Sequence, residues 1–243
     1  MIKIIDIKAR EIFDSRGNPT VECEMLVEGH PDPFFGLVPS GASTGKFEAL
    51  ELRDNDNQRM SGKGVLKAVD NINTSMKPHL INNSFSDYKD FDNSILSLDG
   101  TDNKSKYGAN AILSLSLAFY KAWSYINYNK IYLSQGSSDL SIPVPMLNII
   151  NGGQHADNDV DFQEFMILPI NFENLKEALS ASHDVISKIK KNLKSKNHNT
   201  NVGDEGGFAP NLKSHIEVLD IICDSIESAH LYSCRTDSKE SGY

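Results

Sequence analysis

A stretch rich in Ser, Gly and Pro, residues 134–145, divides the sequence into two parts whose apolar residues are spaced differently. Before it, alternating apolar and polar residues come first and helical spacing follows. After it, short apolar runs alternate with helical segments. Such a change of composition and spacing is typical of a domain boundary. The sequence therefore predicts two domains, residues 1–135 and 140–243, and 243 residues are enough for both.

The first part begins with strand patterns. Residues 1–12 and 20–27 each alternate apolar and polar side chains, and a Gly-Asn-Pro turn lies between them. This arrangement predicts an antiparallel hairpin. Apolar residues three or four positions apart then predict helices over residues 61–81 and 107–126. Strands followed by helices are typical of an α+β domain.

The second part contains short apolar runs, LNII and FMIL, separated from one another by glycines and polar residues. Two helical patterns follow, marked by Leu175, Leu179, Ile186, Ile189 and Leu193, and by Ile216, Leu219, Ile222 and Ile226. Strands alternating with helices predict an α/β unit with a largely parallel sheet. A complete (β/α)₈ barrel takes about 250 residues. We therefore expect residues 140–243 to form an incomplete barrel.

Composition narrows the classes of function. The net charge of −9 disfavours nucleic acid as a partner, because phosphate binding needs clustered Lys and Arg. Cys23, Cys223 and Cys234 are odd in number and form no CxxC motif, which argues against a disulfide framework or a zinc site. No apolar run resembles a signal peptide or reaches the length of a membrane span. We therefore expect a cytoplasmic protein without membrane insertion.

The loop PSGASTGKF, residues 39–47, is similar to a phosphate-binding loop but does not match one. Gly41 and Gly45 enclose three residues instead of four, and Lys46 is followed by Phe47 rather than Ser or Thr. A mobile surface loop and a ligand-binding loop both fit this spacing.

Three further stretches carry candidate site residues. His155 follows paired glycines, so we expect an accessible imidazole, although a surface histidine is the simpler alternative. Gln163 and Glu164 lie within an apolar run, where a carboxylate is costly to bury unless it is paired; a structural ion pair is the alternative there. Asp204 and Glu205 lie between glycines, where a solvated tight turn is the alternative to a catalytic loop.

Seven stretches taken in order resemble enolase (phosphopyruvate hydratase) of bacterial type, from residue 1 to about residue 229. They are DSRGNPTVE, VPSGASTG, EALELRD, DGTDNKSKYGANAILSLSLA, VPMLNIINGGQHADN, QEFMILP and NVGDEGGFAPNL. Any one of them could arise by chance, whereas the ordered series is specific.

The resemblance implies an α+β N-terminal cap domain followed by the first part of an α/β barrel of the TIM-like, enolase type. It implies a Mg²⁺-dependent lyase that interconverts 2-phosphoglycerate and phosphoenolpyruvate in glycolysis, with Mg²⁺ offsetting the charge that develops. It also implies a homo-oligomer in the cytoplasm, although family members occur at the cell surface or are secreted as well.

The resemblance also implies roles for single residues. Glu205 corresponds to the general acid for the departing hydroxyl, and Glu164 corresponds to a carboxylate that supports it. His155 and Gln163 correspond to substrate-binding side chains. Ser43 corresponds to the mobile-loop serine that joins a second Mg²⁺ when the loop closes.

The sequence departs from the family pattern at about His230. The stretches that carry the principal Mg²⁺ ligands and the lysine base in the family have no counterpart, so we expect a C-terminally truncated chain, inactive alone. The alternative is a non-catalytic remnant or binding protein, folded through its cap domain.

Overall fold

The computed structural model describes residues 1–41, 44–135, 140–203 and 205–229. These residues belong to two compact units, Met1–Asp139 and Leu140–Tyr243, and each unit is described by itself below. Among the described residues, no helix combines the length and the apolar character needed to cross a membrane.

The sheet of the first unit is built on a long antiparallel hairpin. Strands β1 (Ile2–Phe13) and β2 (Pro19–Val27) pair in register from Ile4 opposite Val27 to Phe13 opposite Pro19, with one irregularity after Ile4. β3 (Phe34–Leu37) and β4 (Ser84–Phe85) complete the order β3-β2-β1-β4. The predicted hairpin is confirmed, and its predicted inner face is buried: Val21, Cys23, Met25 and Val27.

Helices of the first unit pack on this sheet. They are α1 (Leu66–Asp70), a π-helical turn (Asn71–Met76), α2 (Lys77–Leu80), α3 (Tyr88–Asp99) and α4 (Ala109–Tyr128). The predicted helix over residues 107–126 is confirmed as α4. α3 has no counterpart among the predicted helices, because polar residues interrupt its short apolar face. The side chain of Asp87 caps the N-terminus of α3 by accepting hydrogen bonds from the backbone N–H groups of Lys89 and Asp90.

The helix predicted over residues 61–81 begins later, at Leu66, and contains the π turn in its middle. The π turn places the side-chain amide of Asn73 against β1. Its Nδ2–H donates to the carbonyl of Ala9 at 3.0 Å, and the Ala9 N–H donates to its Oδ1 at 2.8 Å. Among the described residues, β1 pairs with β4 only at Ile2 and Lys3, so Asn73 satisfies backbone groups on an otherwise unpaired edge.

We expect Asn73→Ala to lower the free energy of unfolding of the first unit by about 1–3 kcal/mol, because it leaves both Ala9 backbone groups without their partner. Asn93→Ala is the matched control, since Asn93 lies exposed on α3; it should change stability by less than about 0.5 kcal/mol. Urea unfolding followed by circular dichroism measures both. Equal losses for the two variants would show that the Asn73 amide contributes nothing specific.

The second unit contains a two-stranded sheet covered by two helices. β5 (Leu147–Asn151) and β6 (Glu164–Ile167) pair with each other, and Phe208 forms an isolated parallel bridge to Ile150. α5 (Leu175–Ser195) and α6 (His215–Ser228) pack on them. The buried apolar cluster consists of Ile149, Ile150, Val160, Val185, Ile189, Leu193, Phe208, Leu212, Val218, Ile221 and Ile222.

The prediction of a largely parallel sheet is wrong for the described part of this unit. β5 and β6 are antiparallel, because the polar loop between them carries no crossover helix and the chain turns straight back. Among the described residues, a parallel relation appears only at the bridge between Ile150 and Phe208, and Phe208 follows α5 in the sequence.

Both helices predicted in the second unit are confirmed, but part of each predicted apolar face is wrong. Leu179 on α5 is exposed, and so are Ile216 and Leu219 on α6. α6 buries Val218 and Ile221 instead, together with Ile222. Its sequence offers two overlapping apolar faces, and periodicity alone does not tell which one packs.

We expect limited proteolysis to degrade residues 140–229 before the first unit. The buried apolar cluster of the second unit contains 11 residues, whereas that of the first unit contains 22. Fewer buried apolar contacts accompany low local stability. Mass spectrometry of the tryptic fragments over time tests this order, and early loss of the first unit would contradict it.

Candidate active site

The predicted site residues of the second unit gather where β5 ends and β6 begins. Asn151, the last residue of β5, lies opposite Glu164, the first residue of β6. Beside this pair, the Gly152 N–H donates to the backbone carbonyl of Gln163 at 3.0 Å. The loop between the strands carries His155 at the end of a short 3₁₀ turn, Gly153–His155. The hairpin therefore brings His155, Gln163 and Glu164 to the same end of the sheet.

His155 and Glu164 form a close charge contact. The Nδ1 of His155 lies 3.3 Å from the Oε1 of Glu164. Among the described residues His155 Nδ1 has no hydrogen-bond partner, and its contact with Glu164 is an ion pair only if the imidazole is protonated. The expectation of an accessible imidazole is wrong: His155 is 6% exposed, because the loop folds back over it, whereas 35% of the Glu164 side chain remains exposed.

Glu205 lies on a loop that is closed at its base by two backbone hydrogen bonds. The Gly203 N–H donates to the Gly207 carbonyl at 2.8 Å, and the Gly206 N–H donates to the Gly203 carbonyl at 3.1 Å. The residue after the loop, Phe208, pairs with β5 on both sides: its N–H donates to Ile149, and its carbonyl accepts from Asn151, each at 2.8 Å. The loop is thus attached to the strand that faces Glu164.

The glycines of this loop are required by close packing and by backbone conformation. A Cβ at Gly203 would lie 2.4 Å from Asn151 Nδ2 and 2.5 Å from the carbonyl oxygen of His155. A Cβ at Gly207 would lie 2.7 Å from Asn151 Oδ1. Gly206 has a φ of +82°, which L-residues rarely adopt. The bare backbone therefore allows the Glu205 loop to lie directly against Asn151 and the His155 loop.

A polar cavity of about 450 Å³ opens beside this arrangement. His155 is the predicted site residue that lines this cavity. Gly203, the first residue of the Glu205 loop, lines it as well. Its lining is Gln154, His155, Ala156, Asp157, Asn199, Asn201, Val202, Gly203 and Ala209. A small polar ligand in this cavity would therefore lie beside His155 and the start of the glycine loop.

The remaining predicted site features are less well placed. The Gln163 side chain lies against Gly153, where a Cβ would be 3.0 Å from its Cγ. Ser43 and Asp204 lie outside the described residues. Within the described part of the chain, no three His, Cys, Asp or Glu side chains come together to hold a metal ion. Mg²⁺ therefore has no identified cradle among the described residues.

One residue of the site was not singled out from the sequence. Asn151 is fully buried and contacts both ends of the Glu205 loop. A polar residue that ends an apolar run directly before two glycines, as in LNIINGG, is the signal that identifies it.

Comparison with known families agrees with this geometry. A family model described as the enolase N-terminal domain matches residues 4–134, and one described as the enolase C-terminal TIM barrel domain matches residues 139–235. The chain belongs to the enolase family. The family resemblance found in the sequence is confirmed, and the second match extends past His230, where we expected it to end.

The expected fold class is also confirmed. This enolase-family chain has an α+β N-terminal domain and the first part of the C-terminal barrel. In the barrel part, the described sheet consists of β5, β6 and the bridge to Phe208. Membership of the family also identifies its general class of chemistry, that of the enolase-superfamily lyases.

We expect Gly203→Ala to destabilise the second unit by about 1–3 kcal/mol, because the added Cβ overlaps Asn151 and the His155 backbone. Gly206→Asn is a control in the same loop: the space around Gly206 is open, and asparagine tolerates positive φ better than most residues. Its cost should stay below about 1 kcal/mol. Urea unfolding compares the two, and a smaller loss for Gly203→Ala than for Gly206→Asn would contradict the packing described here.

Proposed function

We propose that this enolase-family chain, of bacterial type, carries the proton-donor side of a site that dehydrates 2-phosphoglycerate to phosphoenolpyruvate in glycolysis. The support is the family match over residues 4–134 and 139–235 together with the contact between His155 and Glu164 at the end of β5, to which the Glu205 loop is attached.

In the proposed reaction, the protonated carboxyl of Glu205 donates its proton to the leaving hydroxyl group. The carbon–oxygen bond breaks, water departs, and Glu205 is left as a carboxylate. The neighbouring glycines leave room for the reacting carbon to approach. Glu164 lies within 3.3 Å of His155, and we propose that His155, which lines the cavity, contacts the polar part of the substrate. Gln163 is proposed as a further substrate-binding side chain.

The complementary step is the removal of a proton from carbon beside a carboxylate. The described residues that line the cavity include no lysine to act as its base. Mg²⁺, when bound, would offset the negative charge that develops in this step, and Ser43 is proposed as a ligand of a second Mg²⁺. Assembly into a homo-oligomer and a cytoplasmic location are proposed from the family.

A second candidate function is non-catalytic binding. The observation in its favour is that no three His, Cys, Asp or Glu side chains come together as metal ligands among the described residues. Under this hypothesis, the same cavity binds a phosphorylated hydroxy acid without catalysing its dehydration.

The test combines binding and turnover on the purified 243-residue chain. Titration with 2-phosphoglycerate and Mg²⁺ should shift the NMR amide signals of His155, Gln163 and Glu205, while ultraviolet absorbance follows phosphoenolpyruvate formation. Glu205→Gln should lower any turnover by about 10²–10⁴-fold. Glu173→Gln, which changes an exposed carboxylate just before α5, is the charge-matched control and should retain any turnover.

Each outcome decides between the candidates. Turnover that depends on Glu205 supports the lyase. Binding at these amides without turnover supports the non-catalytic alternative for the chain alone. Neither binding nor turnover, or turnover unchanged in Glu205→Gln, contradicts the proposed function.

A further inference from the structure

Asn151 lies where the two carboxylate-bearing segments of the site meet. Its Cα lies opposite Glu164 in the β5–β6 ladder. Its N–H donates to the carbonyl of Phe208 at 2.8 Å, directly after the Glu205 loop. Its own side chain is completely buried. Any change at this residue is therefore transmitted to both Glu164 and the loop.

The side-chain amide occupies the space between the two ends of the loop. Its Nδ2 would be 2.4 Å from a Cβ at Gly203, and its Oδ1 would be 2.7 Å from a Cβ at Gly207. One small planar group thus supports both residues that close the loop through the Gly203–Gly207 hydrogen bond. The loop cannot move inward while this amide is in place.

Stability alone does not account for an asparagine at this position. Asn148 Nδ2 donates to Asn151 Oδ1, but among the described residues Asn151 Nδ2 has no hydrogen-bond partner. A buried, unpaired N–H group costs free energy that an apolar side chain of similar volume would avoid. The uncompensated donor lies against Gly203, at the start of the Glu205 loop.

The geometry points to Asn151 as a positioning residue that fixes the 203–207 loop relative to Glu164 and so sets where the Glu205 carboxyl is presented. This inference rests on the proposed role of Glu205 as proton donor. Asn151 acts through the loop, by occupying space and by its backbone bond to Phe208, and it lies outside the lining of the cavity. Its removal should therefore affect the orientation of the acid more than the binding of substrate.

The first test measures the loop without requiring activity. Amide hydrogen exchange by NMR is compared between the unmodified chain, Asn151→Ala and Asn158→Ala. Asn158 is a neighbouring control that donates to the carbonyls of Asn151 and Pro210. In Asn151→Ala, we expect the Gly203 and Gly206 amides to exchange at least about tenfold faster while the amides of α5 are unchanged. Asn158→Ala should leave the two glycine amides within about threefold of the unmodified chain.

A second readout reports the acid itself. The ¹³Cδ signal of Glu205 should shift in Asn151→Ala and stay in place in Asn158→Ala, since only the first variant frees the loop. Asn151→Ser, which is smaller and still polar, replaces the alanine variant if circular dichroism shows that the latter does not fold. Unchanged glycine exchange in the Asn151 variants, or equal acceleration in Asn158→Ala, overturns the inference.

Turnover separates this inference from the proposed function. If the unmodified chain forms phosphoenolpyruvate, Asn151→Ala should lower kcat by at least about tenfold with little change in KM, because it displaces the acid rather than the binding groups. Equal loss in kcat and gain in KM would contradict a positioning role. If the unmodified chain shows neither binding nor turnover, the proposed function fails, while the exchange and ¹³C measurements still decide whether Asn151 fixes the loop.

Discussion

Two backbone hydrogen bonds at Phe208 hold the candidate site together. The Phe208 N–H donates to Ile149 and its carbonyl accepts from Asn151, so the segment after the Glu205 loop becomes a short extension of the sheet. The same strand, β5, pairs on its other side with β6, whose first residue is Glu164. Two acids far apart in sequence are therefore placed by one strand of five residues. Loss of the Phe208 bridge would separate them without altering either side chain.

Side-chain amides repeatedly replace missing backbone partners in this chain. Asn73 bonds both backbone groups of Ala9, and Asn110 does the same for Leu52, accepting from its N–H at 3.2 Å and donating to its carbonyl at 3.0 Å. Ala9 lies on the edge of β1 that faces away from β2, and Leu52 lies in an irregular segment, so each amide supplies partners to backbone groups. Asn151 differs from both, because its Nδ2 has no such partner among the described residues and its amide supports glycines by contact. That difference separates a structural amide from one placed for the site.

The sequence predicts those strands and helices that are determined by the spacing of nearby apolar residues. Alternation around a Gly-Asn-Pro turn is enough to specify the β1–β2 hairpin, and 3.6-residue periodicity is enough for α4 and α5. The π turn at Asn71–Met76 escapes prediction, since it depends on a contact between Asn73 and the distant edge of β1. The direction of β6 escapes for a related reason: a short apolar run looks the same whether its sheet is parallel or antiparallel.

Prediction of the site was limited in the same way. The family resemblance supplied His155, Gln163, Glu164 and Glu205 as a set, and the structure brings the first three to one end of the sheet. The burial of His155 and the supporting position of Asn151 were not predictable from spacing, because both depend on how β5 and the His155 loop pack against the glycines at 203 and 207. Close approach between loops distant in sequence leaves no periodic pattern.

Electrostatics sets the remaining condition on function. A phosphorylated hydroxy acid is strongly anionic, whereas the described lining of the cavity contains Asp157 and no Lys or Arg, and Glu164 lies directly behind His155. Of that lining, His155 is the residue that can carry a positive charge, and Glu164 already offsets part of it. Like charges brought together in a partly buried site repel strongly. Recognition of the proposed ligand would therefore need positive charge beyond what the described lining of this cavity supplies.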